Sequence, residues 1–86
     1  MEIRYSKQAV KFINNLDKTT KTRIKHGIEG LTKNPPEGDI KLMQGFSKSI
    51  YRLRIGKYRI VYSYSEEREI EILNILKIGS RGDIYK

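Results

Sequence analysis

Three arginines, Arg52, Arg54 and Arg59, flank the dipeptide Gly56-Lys57 in the stretch Tyr51-Arg52-Leu53-Arg54-Ile55-Gly56-Lys57-Tyr58-Arg59-Ile60-Val61-Tyr62. The period of two on either side is that of half-buried strands. A glycine in the first place of a two-residue connection suits a type II′ hairpin turn. In that register Ile55 lies opposite Tyr58, Arg54 opposite Arg59, Leu53 opposite Ile60, Arg52 opposite Val61 and Tyr51 opposite Tyr62. Opposed residues share a face and successive residues alternate between faces. One face therefore collects Tyr51, Leu53, Ile55, Tyr58, Ile60 and Tyr62, a core, and the other collects Arg52, Arg54 and Arg59. Arg54 and Arg59 then have Cβ atoms about 5 Å apart, with Arg52 on the diagonal at ~7–8 Å. Like charges opposite one another destabilise a sheet by up to ~1 kcal/mol. A phosphate turns that repulsion into attraction, because guanidinium forks match phosphate oxygens in bidentate geometry. The expected chemistry is anion binding. The competing reading is a solvated face, or pairing with Glu66, Glu67, Glu69 or Glu71. A slip of one residue would move all three arginines to the other face.

The elements that must hold this hairpin are legible around it. Residues 2–5 form a short first strand. Ser6 is a candidate helix N-cap, and Ala9, Phe12, Ile13 and Leu16 follow at the spacing of one apolar helical stripe. Asp17 is a candidate cap for a second helix, in which Ile24, Ile28 and Leu31 repeat the stripe. The two stripes face each other most simply as an αα-hairpin. Asn34-Pro35-Pro36-Glu37-Gly38-Asp39 is a loop by composition, since consecutive prolines cannot continue a helix. Strands are expected at 49–55, 58–65 and 69–78, with Glu66-Glu67-Arg68 as the second turn. The run Ile72-Leu73-Asn74-Ile75-Leu76 predicts a central strand buried on both sides. The tail from Gly79 to Lys86 reads as irregular. The fold class is α+β: an N-terminal strand, an αα-hairpin and a three-stranded antiparallel meander in one sheet, with the helices packed on one face.

Composition narrows the partners. The 86 residues make one domain, residues 1–86, able to bury only roughly 60–65% of its unfolded surface. A net charge of +8 attracts polyanions, leaving nucleic acid, an anionic membrane surface or an acidic protein as candidates. The alternative is that the lysines serve solubility alone. No apolar run approaches the ~18 residues of a membrane span, and Met1-Glu2-Ile3-Arg4-Tyr5 lacks a signal-peptide profile. A cytoplasmic protein is the expectation, consistent with the lack of cysteine. One histidine and no cysteine leave only scattered carboxylates, so no metal or other cofactor is expected. His26, within the second helix and away from the arginines, reads as a surface residue. Tyr5, Tyr51, Tyr58, Tyr62 and Tyr64 read as core or sheet-surface residues in preference to base-stacking platforms.

The hairpin sequence, followed by Ile78-Gly79-Ser80-Arg81 and then Tyr85 and preceded by Lys41-Leu42-Met43-Gln44-Gly45-Phe46, resembles the RelE/ParE toxin superfamily. Each short motif is weak alone. Their order and spacing together cover nearly the whole chain. The resemblance to the RelE branch implies a toxin that enters the ribosome and cuts messenger RNA by attack of a ribose 2′-hydroxyl on the adjacent phosphate. By position it implies catalytic roles for Arg52, Arg54, Arg59, Arg81 and Tyr85, with arginines where the type member has a lysine pair. Arginine stays protonated and is a poor general base, so Arg52 and Arg54 suit charge stabilisation better than proton transfer. Arg54 and Arg59 are the candidates for stabilising the phosphorane, Arg81 for the leaving 5′-oxygen, and Tyr85 for orienting or deprotonating the 2′-hydroxyl or stacking on a base. Lys57 in the turn and Lys18, Lys21 and Lys25 on the second helix are candidate RNA contacts; a solvated face is the equal alternative for the helical lysines, as for Arg23 beside them. The implied partners are the ribosome, messenger RNA and a cognate antitoxin that blocks the basic face. A C-terminal helix found in many relatives is expected to be absent or very short. The ParE branch shares the fold and implies instead a DNA gyrase inhibitor without nuclease activity. A third reading is a degenerate member that binds RNA or antitoxin and cuts nothing.

Overall fold

The computed structural model describes residues 1–43 and 49–80. In chain order the elements are β1 (Glu2–Tyr5), α1 (Lys7–Asn14), α2 (Lys18–Gly30), β2 (Asp39–Met43), β3 (Ile50–Ile55), β4 (Tyr58–Glu67) and β5 (Ile70–Ser80). Both helices begin where the capping residues predict. The Ser6 hydroxyl accepts the Ala9 N–H at 3.1 Å, and the Asp17 carboxylate accepts the Thr20 N–H at 3.2 Å. Each cap satisfies a backbone donor that a first helical turn leaves without a partner.

The five strands form one sheet in the order β1-β5-β4-β3-β2, with β1 parallel to β5 and every other pair antiparallel. The helices lie side by side on one face of this sheet, α1 mainly against β5 and α2 against β3. The expected apolar stripes thus bury against strands more than against each other. Ala9, Ile13, Ile24, Ile28 and Leu31 meet Leu53, Ile60, Tyr62, Leu73, Ile75 and Ile78 in one buried cluster.

Sequence patterning missed a strand. Residues 39–43 form an edge strand paired with β3, so the sheet has four strands beside β1 where a three-stranded meander was expected. Asp39, Lys41 and Leu42 are exposed, and an edge with so little burial carries no clear alternation for a pattern to detect. Asp39, expected in a loop, is therefore the first residue of β2.

Strand boundaries also move by one or two residues. Glu66 and Glu67 stay in β4, and the turn falls on Arg68 and Glu69, both at positive φ. The polar run 66–69 shows that a turn occurs but not which two residues make it. Gly79 and Ser80, expected in an irregular tail, complete β5 opposite Arg59 and Tyr58. Within β5, Ile72, Leu73 and Ile75 are buried as a central strand requires, but Leu76 is 40% exposed. A register shift between Val61 and Tyr62 leaves Leu76 as the extra residue of a bulge, without a partner in β4.

Where β1 ends, a side chain takes over its hydrogen bonding. The Gln8 amide donates to the Ile78 carbonyl at 2.6 Å and accepts the Ile78 N–H at 2.9 Å, as a strand's peptide group would. This clasp fastens the first turn of α1 to the end of β5 nearest the arginine hairpin.

Candidate nucleic-acid interface

The β3–β4 hairpin has the register read from its sequence: Arg54 pairs with Arg59, Arg52 with Val61, Leu53 with Ile60 and Tyr51 with Tyr62. Gly56 sits at φ +57°, the left-handed geometry that the first position of this turn requires. Leu53, Ile60 and Tyr62 point into the helix-covered core. By alternation, Arg52, Arg54 and Arg59 share the opposite, helix-free face.

Two rows of side chains cross that face. One runs Asp39, Arg54, Arg59, Gly79 and the next Lys41, Arg52, Val61, Lys77. Among the described residues these rows hold five cations (Lys41, Arg52, Arg54, Arg59 and Lys77) against the single carboxylate of Asp39. The carboxylate is shared. Its Oδ2 accepts from Arg54 Nε at 2.6 Å, and its Oδ1 lies 3.9 Å from Arg52 Nη2. Arg52 is mostly covered, its side chain 13% exposed beside the buried Val61, whereas the Arg54 side chain is 51% exposed. Arg59 makes no ion pair among the described residues; its Nη1 turns toward the carbonyls of Gly56 and Tyr58, both at 3.4 Å. The glutamates considered as partners do not reach these arginines. Glu67 instead pairs with Arg4, which also pairs with Glu2.

The candidate lysines do not share this face. Lys57 reaches over the ring of Tyr58, its Nζ 5.5 Å from the centroid, and Tyr58 packs edge-on against Phe12 of α1 on the helix side. Lys18, Lys21 and Lys25 lie on α2, in the layer across the sheet from the arginines. Arg23, on the same helix, reaches the hairpin turn: its Nη2 is 3.3 Å from where a Cβ would stand on Gly56. Arg81 and Tyr85 lie outside the described residues, as do Gln44, Gly45 and Phe46.

The remaining single residues are accounted for. His26 is exposed on α2. Tyr62 is buried and stacked on Tyr51 with ring centroids 5.5 Å apart, while Tyr64 meets both edge-on and donates its hydroxyl to the Leu31 carbonyl at 2.7 Å. Burial pushes the Tyr62 and Tyr64 hydroxyls above the ordinary tyrosine range. No helix among the described residues is long and apolar enough to cross a membrane.

The family model for the ParE toxin of type II toxin–antitoxin systems matches residues 3–85. The chain belongs to that family. It is 35% identical over 83 residues to the curated protein "Putative toxin RelE1" of Methanocaldococcus jannaschii, covering 93% of this chain and 89% of the relative. Among solved structures, it is similar to the archaeal RelE-RelB complex from Pyrococcus horikoshii OT3, at 29% identity and a TM-score of 0.71 over 95% of this chain and 96% of that one. The isolated E. coli RelE toxin has a TM-score of 0.72 over 98% of this chain and 89% of that one, and at 19% identity shares the fold. This ParE-family toxin is thus of the RelE/ParE type, with the α+β architecture its sequence resembles.

Proposed function

We propose that this toxin acts in the cytoplasm as a metal-independent endoribonuclease, cutting messenger RNA on the ribosome, and that a cognate antitoxin holds it in check. The observation that carries the reading is the direct opposition of Arg54 and Arg59, in two cross-strand rows that among the described residues hold five cations and one carboxylate. In the reaction, the 2′-oxygen forms a bond to the adjacent phosphorus while the bond from phosphorus to the 5′-oxygen breaks. The products are a 2′,3′-cyclic phosphate and a 5′-hydroxyl. Arg54 and Arg59 offset the charge that gathers on the phosphoryl oxygens, and Arg52 adds to the field behind them. Tyr85 orients the 2′-hydroxyl or, as the phenolate, accepts its proton; Arg81 stabilises the charge on the leaving 5′-oxygen, which takes a proton from water. Lys57, Lys18, Lys21 and Lys25 contact RNA beyond the scissile phosphate, with Arg23 carrying the positive field around the hairpin tip. RelE-RelB complexes among the structural relatives support the antitoxin partner.

A second reading is inhibition of DNA gyrase without nuclease activity. The ParE description of the matching family favours it, as does the engagement of Arg52 and Arg54 by Asp39. Primer-extension mapping of transcripts after induction separates the two. Cuts within translated codons, reduced ~10²–10³-fold or more in Arg59→Ala and also lost in Tyr85→Phe, are expected for the nuclease. Intact transcripts alongside gyrase-linked DNA breaks would establish the second reading.

A further inference from the structure

We infer that Asp39 is the resident counter-ion of the arginine face, occupying the place an RNA phosphate takes and setting how readily the protein binds polyanions. The inference rests on this face being an RNA site, but not on cleavage.

The carboxylate meets the arginines as a phosphate would. One oxygen goes to the Arg54 guanidinium at 2.6 Å and the other faces Arg52 at 3.9 Å. The position is built by the fold, since Asp39 is the cross-strand partner of Arg54, whose partner on the other side is Arg59. Three like charges on neighbouring strands repel one another, and an internal carboxylate relieves that repulsion when no ligand is bound. It also competes with passing nucleic acid for Arg54 and, at longer range, for Arg52, while among the described residues Arg59 makes only long contacts to backbone carbonyls. An incoming phosphodiester therefore engages Arg59 first and gains Arg54 and Arg52 only by displacing Asp39. For a protein of net charge +8 this raises the threshold for indiscriminate polyanion binding. It favours RNA that further contacts hold in place long enough for the exchange.

The exchange is tested with a single-stranded 12-nucleotide RNA carrying 2′-O-methyl groups throughout, which removes the attacking hydroxyl so that binding is read without cleavage. Affinity is measured by fluorescence anisotropy over a series of NaCl concentrations. Asp39→Asn is expected to bind about fivefold more tightly at low salt, the equivalent of one exposed ion pair. Its log–log salt slope is expected to steepen by about 0.7, the value for one further phosphate neutralised on a single strand. Glu66→Gln makes the same change in net charge at the far end of the sheet and should stay within about twofold of wild type. The gain from Asp39→Asn should vanish in an Arg54→Ala background. Melting curves report folding, and Asp39→Ser gives a second variant with the charge removed.

Binding by Asp39→Asn equal to or weaker than wild type, or no different from Glu66→Gln, overturns the inference. Lost cleavage of ordinary RNA with unchanged binding also overturns it, since Asp39 would then act on the reaction. No binding by any of the proteins removes the RNA site and the inference with it. Tighter binding by Asp39→Asn beside intact transcripts sustains the inference and sinks the nuclease instead.

Discussion

At the residue scale, Asp17 shows how one side chain links pH to stability. Hydrogen bonds from Thr20, side chain and backbone, hold its carboxyl below the usual carboxylate range. A group whose folded pKa is depressed stabilises the fold above its unfolded pKa of about 3.9, and that contribution fades as pH falls through the folded value. Asn caps a helix comparably without titrating. Urea midpoints of wild type and Asp17→Asn should therefore differ most near pH 6 and converge below about pH 4; a constant gap over that range would refute the coupling. Arg54 and Arg59 illustrate the same scale differently. Their opposition was legible because a two-residue turn permits one register, and a period of two then decides every side chain's face.

Elements depend on contacts that periodicity does not reveal. Gln8 carried no signal in the sequence: a polar residue in the first turn of a helix reads as solvent-facing. Its amide nevertheless continues the β1–β5 ladder at Ile78. Truncation to Ala leaves a part-buried N–H and carbonyl without partners, which costs about 1–3 kcal/mol. Urea denaturation of Gln8→Ala should show that loss with little change in slope, while a change under ~0.5 kcal/mol would mean that water replaces the amide. β2 was missed for a related reason. An exposed edge strand is defined by its neighbour's hydrogen bonds, so Asp39 could be assigned to the arginine face only once β3 was seen beside it.

For the whole molecule, the excess of positive charge sets a cost that salt relieves. Self-repulsion at net +8 opposes the compact state, and the cations of the helix-free face concentrate it. Raising NaCl from 20 to 200 mM shortens the screening length from about 20 Å to below 10 Å. The melting temperature should rise by several degrees, since about 1 kcal/mol moves it by roughly 4–8 °C in a domain this size. Arg59→Ala should show a smaller rise. A melting temperature that falls with salt would mean that ion pairs such as Asp39 with Arg54 outweigh the repulsion.

What the chain determined without coordinates was everything that repeats along it: helix stripes with their Ser6 and Asp17 caps, the turn at Gly56, and a face carrying three arginines. Local chemistry and a fixed period suffice for those. The tertiary structure alone decided what meets that face from a distance in sequence, with Asp39 arriving fifteen residues before Arg54 and Lys77 eighteen after Arg59. It also put the helical lysines on the far side of the sheet. Strand order and the layer a helix covers follow from the packing of the whole core, which no stretch of residues encodes by itself.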